Sequence, residues 1–106
     1  MRHNYKIYVP STIDVDNSID NSAKVNETLS FLSSLFGGAT ATDASGAWMS
    51  ETSGLVTEKV TICYAFASFR NFWKYRKAVK EYAAKLRDDM RQEAISLEID
   101  GRLQFV

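Results

Sequence analysis

The stretch Leu55-Val56-Thr57-Glu58-Lys59-Val60-Thr61-Ile62-Cys63-Tyr64-Ala65-Phe66 decides the fold. Its β-branched and aromatic residues recur at every second position, which is the period of a strand. Val56, Val60, Ile62, Tyr64 and Phe66 share one face, while Thr57, Lys59, Thr61 and Cys63 share the other. The larger, more apolar row is expected to face the core. Ser68 follows at once. A serine in that place caps a helix, because its hydroxyl accepts from an N–H that the first turn leaves unpaired. A helix is therefore predicted over 68–90. On a 100° wheel Phe72, Val79, Ala83, Leu86 and Met90 converge, flanked by Tyr75 and Tyr82.

Upstream, residues 5–9 alternate as a strand that Pro10 ends, since proline has no N–H for a ladder. Residues 11–20 are a polar, acidic connection. Val25, Leu29, Leu32, Leu35 and Phe36 form a helical stripe over 21–36, and Gly37-Gly38 stops it. A weaker strand is expected over 39–44, with Ser45-Gly46 as a turn or bulge and Ala47-Trp48-Met49 as its continuation. Downstream, Ile95, Leu97 and Ile99 alternate, and Asp100-Gly101 is a two-residue hairpin signal.

The order is β-α-β-β-α-β with an extra C-terminal hairpin strand: a ferredoxin-like α+β domain spanning 1–106. Two helices are expected to cover one face of an antiparallel sheet. Lys6, Tyr8, Thr57, Lys59, Thr61, Cys63, Ser96 and Glu98 are expected on the open face. Ile62, Phe72, Val79 and Leu97 are expected in one core.

The 106 residues carry 13 basic and 13 acidic side chains, so net charge draws the protein neither to nucleic acid nor to a membrane. The charges are unevenly spread. Residues 70–91 hold eight bases against Glu81, Asp88 and Asp89, a local charge of +5. Cys63 is the one cysteine, which excludes an intrachain disulfide. There is neither a long apolar run nor a signal-peptide core, so a cytoplasmic protein is expected.

The runs Leu35-Phe36-Gly37-Gly38-Ala39-Thr40, Gly46-Ala47-Trp48, Gly54 and Glu58, with Gln92-Glu93 before the last strand, resemble a group of uncharacterised small bacterial proteins. The likeness covers about residues 30–98. It implies a ferredoxin-like fold and no activity. The start of the chain is more similar to members carried on phages and plasmids than to exported ones.

Several side chains invite a functional reading. Glu58 shares its strand face with Val56, Val60 and Ile62. A carboxylate there needs a partner, with Lys59, Arg76 or Arg91 as structural candidates, or else serves as an acid/base or ligand group beside Trp48. Trp73 falls off the helical stripe, close in sequence to Arg76, Lys77 and Lys80. That pattern suits a partner-binding anchor, although packing of the indole on the sheet edge, with the bases solvating the helix, is the more ordinary explanation. A protein partner fits better than nucleic acid, because Tyr8 is the one aromatic expected on the open face. The run from Asp14 to Asp20 is similar to a calcium loop but has Ile19 where glycine is required, so no metal is expected. Cys63 lacks a nearby base as a nucleophile, since the single histidine, His3, lies near a terminus expected to fray.

Together these features point to a non-enzymatic binding module for a small molecule or protein, homodimeric through uncovered faces or edges, with no cofactor. Two alternatives stand beside it: a mobile-element inhibitor of a host defence protein acting through the basic helix 68–91, and a small enzyme using Glu58.

Overall fold

The computed structural model describes residues 1–13 and 17–106. The run resembling a calcium loop begins on residues 14–16, outside the described residues. The elements are β1 (His3–Pro10), β2 (Thr12–Ile13), β3 (Asn17–Ser18), α1 (Ser22–Phe36), β4 (Thr40–Ser50), β5 (Gly54–Ala67), α2 (Phe69–Lys74), α3 (Arg76–Asp89), β6 (Ser96–Ile99) and β7 (Arg102–Phe105). Five strands form one antiparallel sheet in the order β4-β5-β1-β6-β7. Each helical connection steps over an intervening strand, which is the split-βαβ, ferredoxin-like arrangement. β2 and β3 pair separately beside it.

Local signals are met by the expected geometry. Gly37 ends α1 with φ 90°, its N–H donating to the Ser33 carbonyl. The Ser68 hydroxyl accepts from the Asn71 N–H at the start of α2. Asp100 and Gly101 both have positive φ, 52° and 79°, as a type I′ turn requires. Two expectations fail locally. The helix predicted over 68–90 is interrupted at Tyr75, and Ser45-Gly46 is no turn, because β4 pairs with β5 without a break from Thr40 to Ser50.

The larger correction concerns which face of β5 is covered. Ile7 pairs with Cys63 and Tyr5 with Ala65, so Cys63, Ala65 and Ala67 lie with Tyr5, Ile7 and Val9 under the helices. Ile62 is only half-buried and faces the open side, whereas Phe72, Val79 and Leu97 are buried as expected. Thr61 and Cys63, expected to be open, are buried. The reason is volume. Leu32, Phe36 and Phe72 from the helices fill the space above β5, and the Tyr5 ring stacks on Phe36 and Phe72 at 5.5 and 4.8 Å. A close-packed interior leaves small side chains on the strand beneath such rings.

The distal part of the β4–β5 ribbon outruns the sheet. The last residue pair between β1 and β5 is Pro10 with Val60, and residues 45–59 continue as two strands with no third alongside. At the usual strand rise the ribbon projects about 20 Å. The molecule is accordingly long, 46 × 25 × 21 Å.

Truncating the fully buried Leu97 to alanine should cost about 2–5 kcal/mol. Ile62→Ala, on the open face, should cost well under half of that in the isolated chain. Urea unfolding of the two variants decides between the two strand faces.

Candidate functional site

Direct cross-strand pairs share a face of a sheet, so the open face can be read from the register. It carries Trp48 opposite Val56, Gly46 opposite Glu58, Ala44 opposite Val60, Tyr8 opposite Ile62 and Phe105 opposite Ser96. Trp48, Phe66, Leu103 and Phe105 are each more than half exposed. A groove of about 630 Å³ runs across this face between Trp48, Glu58, Ile62, Tyr8, Leu103 and Phe105. A second groove, about 690 Å³, lies between the ribbon and the loop of Ser11, Thr12, Ser18 and Ile19. Trp48 and Glu58 line both.

Glu58 is exposed rather than buried, and parity placed it correctly with Val56, Val60 and Ile62. What parity missed is that this row faces outward. Among the described residues, no ion pair or hydrogen bond is seen at Glu58, and Arg76 packs on Trp73 on the other side of the sheet. The other carboxylate on this face, Glu98, is already engaged. Tyr8 donates to its Oε1 at 2.8 Å, and Lys6 Nζ stands 3.6 Å from its Oε2. Burial and that hydrogen bond push the Tyr8 hydroxyl's pKa upward. The groove thus combines an exposed indole, an unpaired carboxylate and apolar walls.

Trp73 and Arg76 are brought together, but on the helical side of the sheet. The guanidinium sits 5.4 Å from the indole centroid, and the indole meets Phe72 edge-on at 5.2 Å. The ring is half exposed. Lys77 pairs with Glu81 at 3.7 Å, and Lys85 pairs with Asp89 and with Glu27 of α1; Glu81 and Asp89 are already counted in the local +5, so Glu27 is the one acid here that offsets it further. Trp73, Arg76, Lys77 and Lys80 are therefore not part of the groove that holds Trp48 and Glu58.

His3 is not frayed. Its Nδ1 lies 2.7 Å from Asp100 Oδ2, and its ring stacks on Phe72 at 4.4 Å. Although burial inside the protein, the His3 contact and the Asn4 N–H all act on Asp100, the net effect is a lowered carboxyl pKa. His3 pairs with Ala67, four residues along β5 from Cys63, so no Cys-His couple forms. Among the described residues no cluster of His, Cys, Asp or Glu could hold a metal ion, and no helix is long and apolar enough to cross a membrane.

No family model matches this sequence, and no curated protein matches it. Solved structures do. A phage SAM lyase in complex with S-methyl-5'-thioadenosine superposes with a TM-score of 0.61 at 20% identity, covering 96% of this chain and 84% of that one. A phage SAM lyase in the apo state gives 0.58 at 20% identity, covering 96% and 83%. The shared fold is thus one that serves a lyase. This overturns the expectation of a non-enzymatic binding module.

Burial pushes the Cys63 thiol up to about 11. At pH 8 roughly one thiol in a thousand is then ionised, and the thiolate is the reactive form. Iodoacetamide should modify the folded protein at least about a hundredfold more slowly than the urea-unfolded chain. Equal rates would place Cys63 outside the core.

Proposed function

We propose that this protein binds S-adenosylmethionine in the groove on its open sheet face and cleaves it to S-methyl-5'-thioadenosine. The observation that carries this reading is the likeness, over 96% of the chain, to a lyase solved with that compound, together with a groove that suits a sulfonium. Trp48 offers a π-face to the adenine ring or to the cationic sulfur. Glu58 offers an unneutralised carboxylate for the substrate's positive charge.

The chemistry needs no strong base. When the bond from sulfur to Cγ of the methionine portion breaks, its electron pair goes to sulfur, which becomes a neutral thioether. A lyase adds no water, so the four-carbon remainder completes itself from within. Its own carboxylate closes on Cγ to give a lactone, the new C–O bond forming as the C–S bond breaks. Positive charge on sulfur is consumed along this path. Apolar walls formed by Val60, Ile62, Leu103 and Phe105 disfavour the charged ground state more than the charge-dispersed transition state. The role of Glu58 in this scheme is to hold and orient the cation.

The exposed ribbon also favours self-association. Trp48 on the open face and Met49 and Leu55 on the opposite face of the ribbon are 55%, 72% and 63% exposed, and an isolated two-stranded ribbon is marginal in water. The zero net charge sets no barrier to a second copy. A homodimer, with sheet faces or ribbons meeting, is the simplest assembly that covers these side chains.

Incubation with S-adenosylmethionine should release S-methyl-5'-thioadenosine, followed by chromatography. Glu58→Gln should reduce the rate roughly tenfold to a hundredfold, the effect of about 1.5–3 kcal/mol from a charged contact, with circular dichroism unchanged. A parent that shows neither turnover nor binding refutes the reading. In sedimentation equilibrium the parent should exceed the monomer mass, and Phe105→Glu should return it to monomer. A monomeric parent would remove the proposed assembly without touching the lyase reading.

A further inference from the structure

We infer that Gly46 determines what the groove accepts: its bare backbone opposite Glu58 is the seat of the substrate's cationic centre. This rests on the lyase reading above and adds the residue that shapes the site. Glycine has two ordinary justifications within a fold, and neither holds here. The first is a left-handed backbone, which Gly37, Gly54 and Gly101 adopt; Gly46 does not. The second is a close approach that a side chain would block. A Cβ built at Gly46 would meet only the Glu58 Cγ, at 3.8 Å, which is an ordinary contact. Glycine inside a strand weakens it through chain entropy and missing packing. The position therefore works against stability and gives the described residues nothing in return.

The surroundings explain what the gap can do. Gly46 lies mid-strand in β4, between Ala44 and Trp48 on the same face, each about 6.6 Å away along the strand. Across the pair stands the Glu58 carboxylate, flanked by Val56 and Val60. The result is a depression with a backbone floor, an indole on one side and an unpaired negative charge beside it. A ligand settling there is held against Trp48 with its charge close to Glu58. A branched side chain at 46 would fill the floor and lift the ligand away from the carboxylate. Position 46 would then separate ligands by shape, and Glu58 would separate the cationic sulfonium from neutral thioethers.

The test pairs Gly46→Val with Gly46→Ala and reads binding of S-methyl-5'-thioadenosine and of S-adenosylmethionine by calorimetry, with melting temperature and sedimentation alongside. Gly46→Val should melt at or above the parent temperature and keep the parent's mass, yet bind both ligands at least tenfold more weakly. Gly46→Ala should fall between. Binding by Gly46→Val within twofold of the parent overturns the inference. Unfolding of both variants overturns it too, by assigning the glycine to packing. Loss of assembly together with binding overturns it by giving the gap to a second copy. A parent that binds neither ligand instead refutes the lyase reading itself.

Discussion

The antiparallel pairing of β1 with β5, with Ile7 opposite Cys63, is the constraint on which the rest of the molecule depends. β1 is the central strand, bonded to β5 on one side and β6 on the other. Side chains alternate with period two, so a slip of one residue would exchange every covered position for an open one. In the observed register Tyr5, Ile7 and Val9 point into the helices and Leu97 joins them from β6. The Tyr5 hydroxyl then reaches the Phe72 carbonyl at 2.6 Å and fixes α2 to the sheet. Burial raises that hydroxyl to about 12, so it remains a hydrogen-bond donor throughout the neutral range.

Once the covered face is set, the open face follows without freedom. Val60, Ile62, Tyr64 and Phe66 must stand outward because Cys63, Ala65 and Ala67 stand inward. A monomer rarely leaves so many apolar residues contiguous in water. Such a face suits burial by another molecule, and a groove within it provides a low-polarity setting for a ligand. The unpaired Glu58 and the exposed Trp48 distinguish this groove from a merely sticky surface, since they supply charge and π-contact at one spot. On the helical side of the sheet, Asn21 anchors the start of α1. Its side-chain amide donates to the Pro10 carbonyl at 3.1 Å and to Thr61 Oγ1 at 3.2 Å, tying the entry of α1 to the end of β1.

Much of this was legible in the chain. Gly37, Ser68 and Asp100-Gly101 act through their own backbone neighbours, so each element boundary they mark could be read directly. The stripes of α1 and α3 and the alternation of β1 and β6 sufficed for the ferredoxin-like order of elements. Glu58 and Trp48 also stood out as a chemically unusual pair. Ser45-Gly46 misled, because glycine is a turn signal locally and only the partner strand reveals an unbroken ladder.

The sequence by itself determined the elements, their order and the rows of side chains that travel together on each strand, because those properties are local and periodic. Tertiary structure alone decided which row of β5 lies under the helices. Both rows of that strand alternate equally well; the choice belongs to the rings of Tyr5, Phe36 and Phe72, which leave room beneath them for Cys63 and the alanines but not for Ile62, Tyr64 and Phe66. That choice, made by packing volume rather than by hydrophobicity, turned the apolar row and Glu58 to the outside and separated Trp48 from Trp73 by the thickness of the sheet.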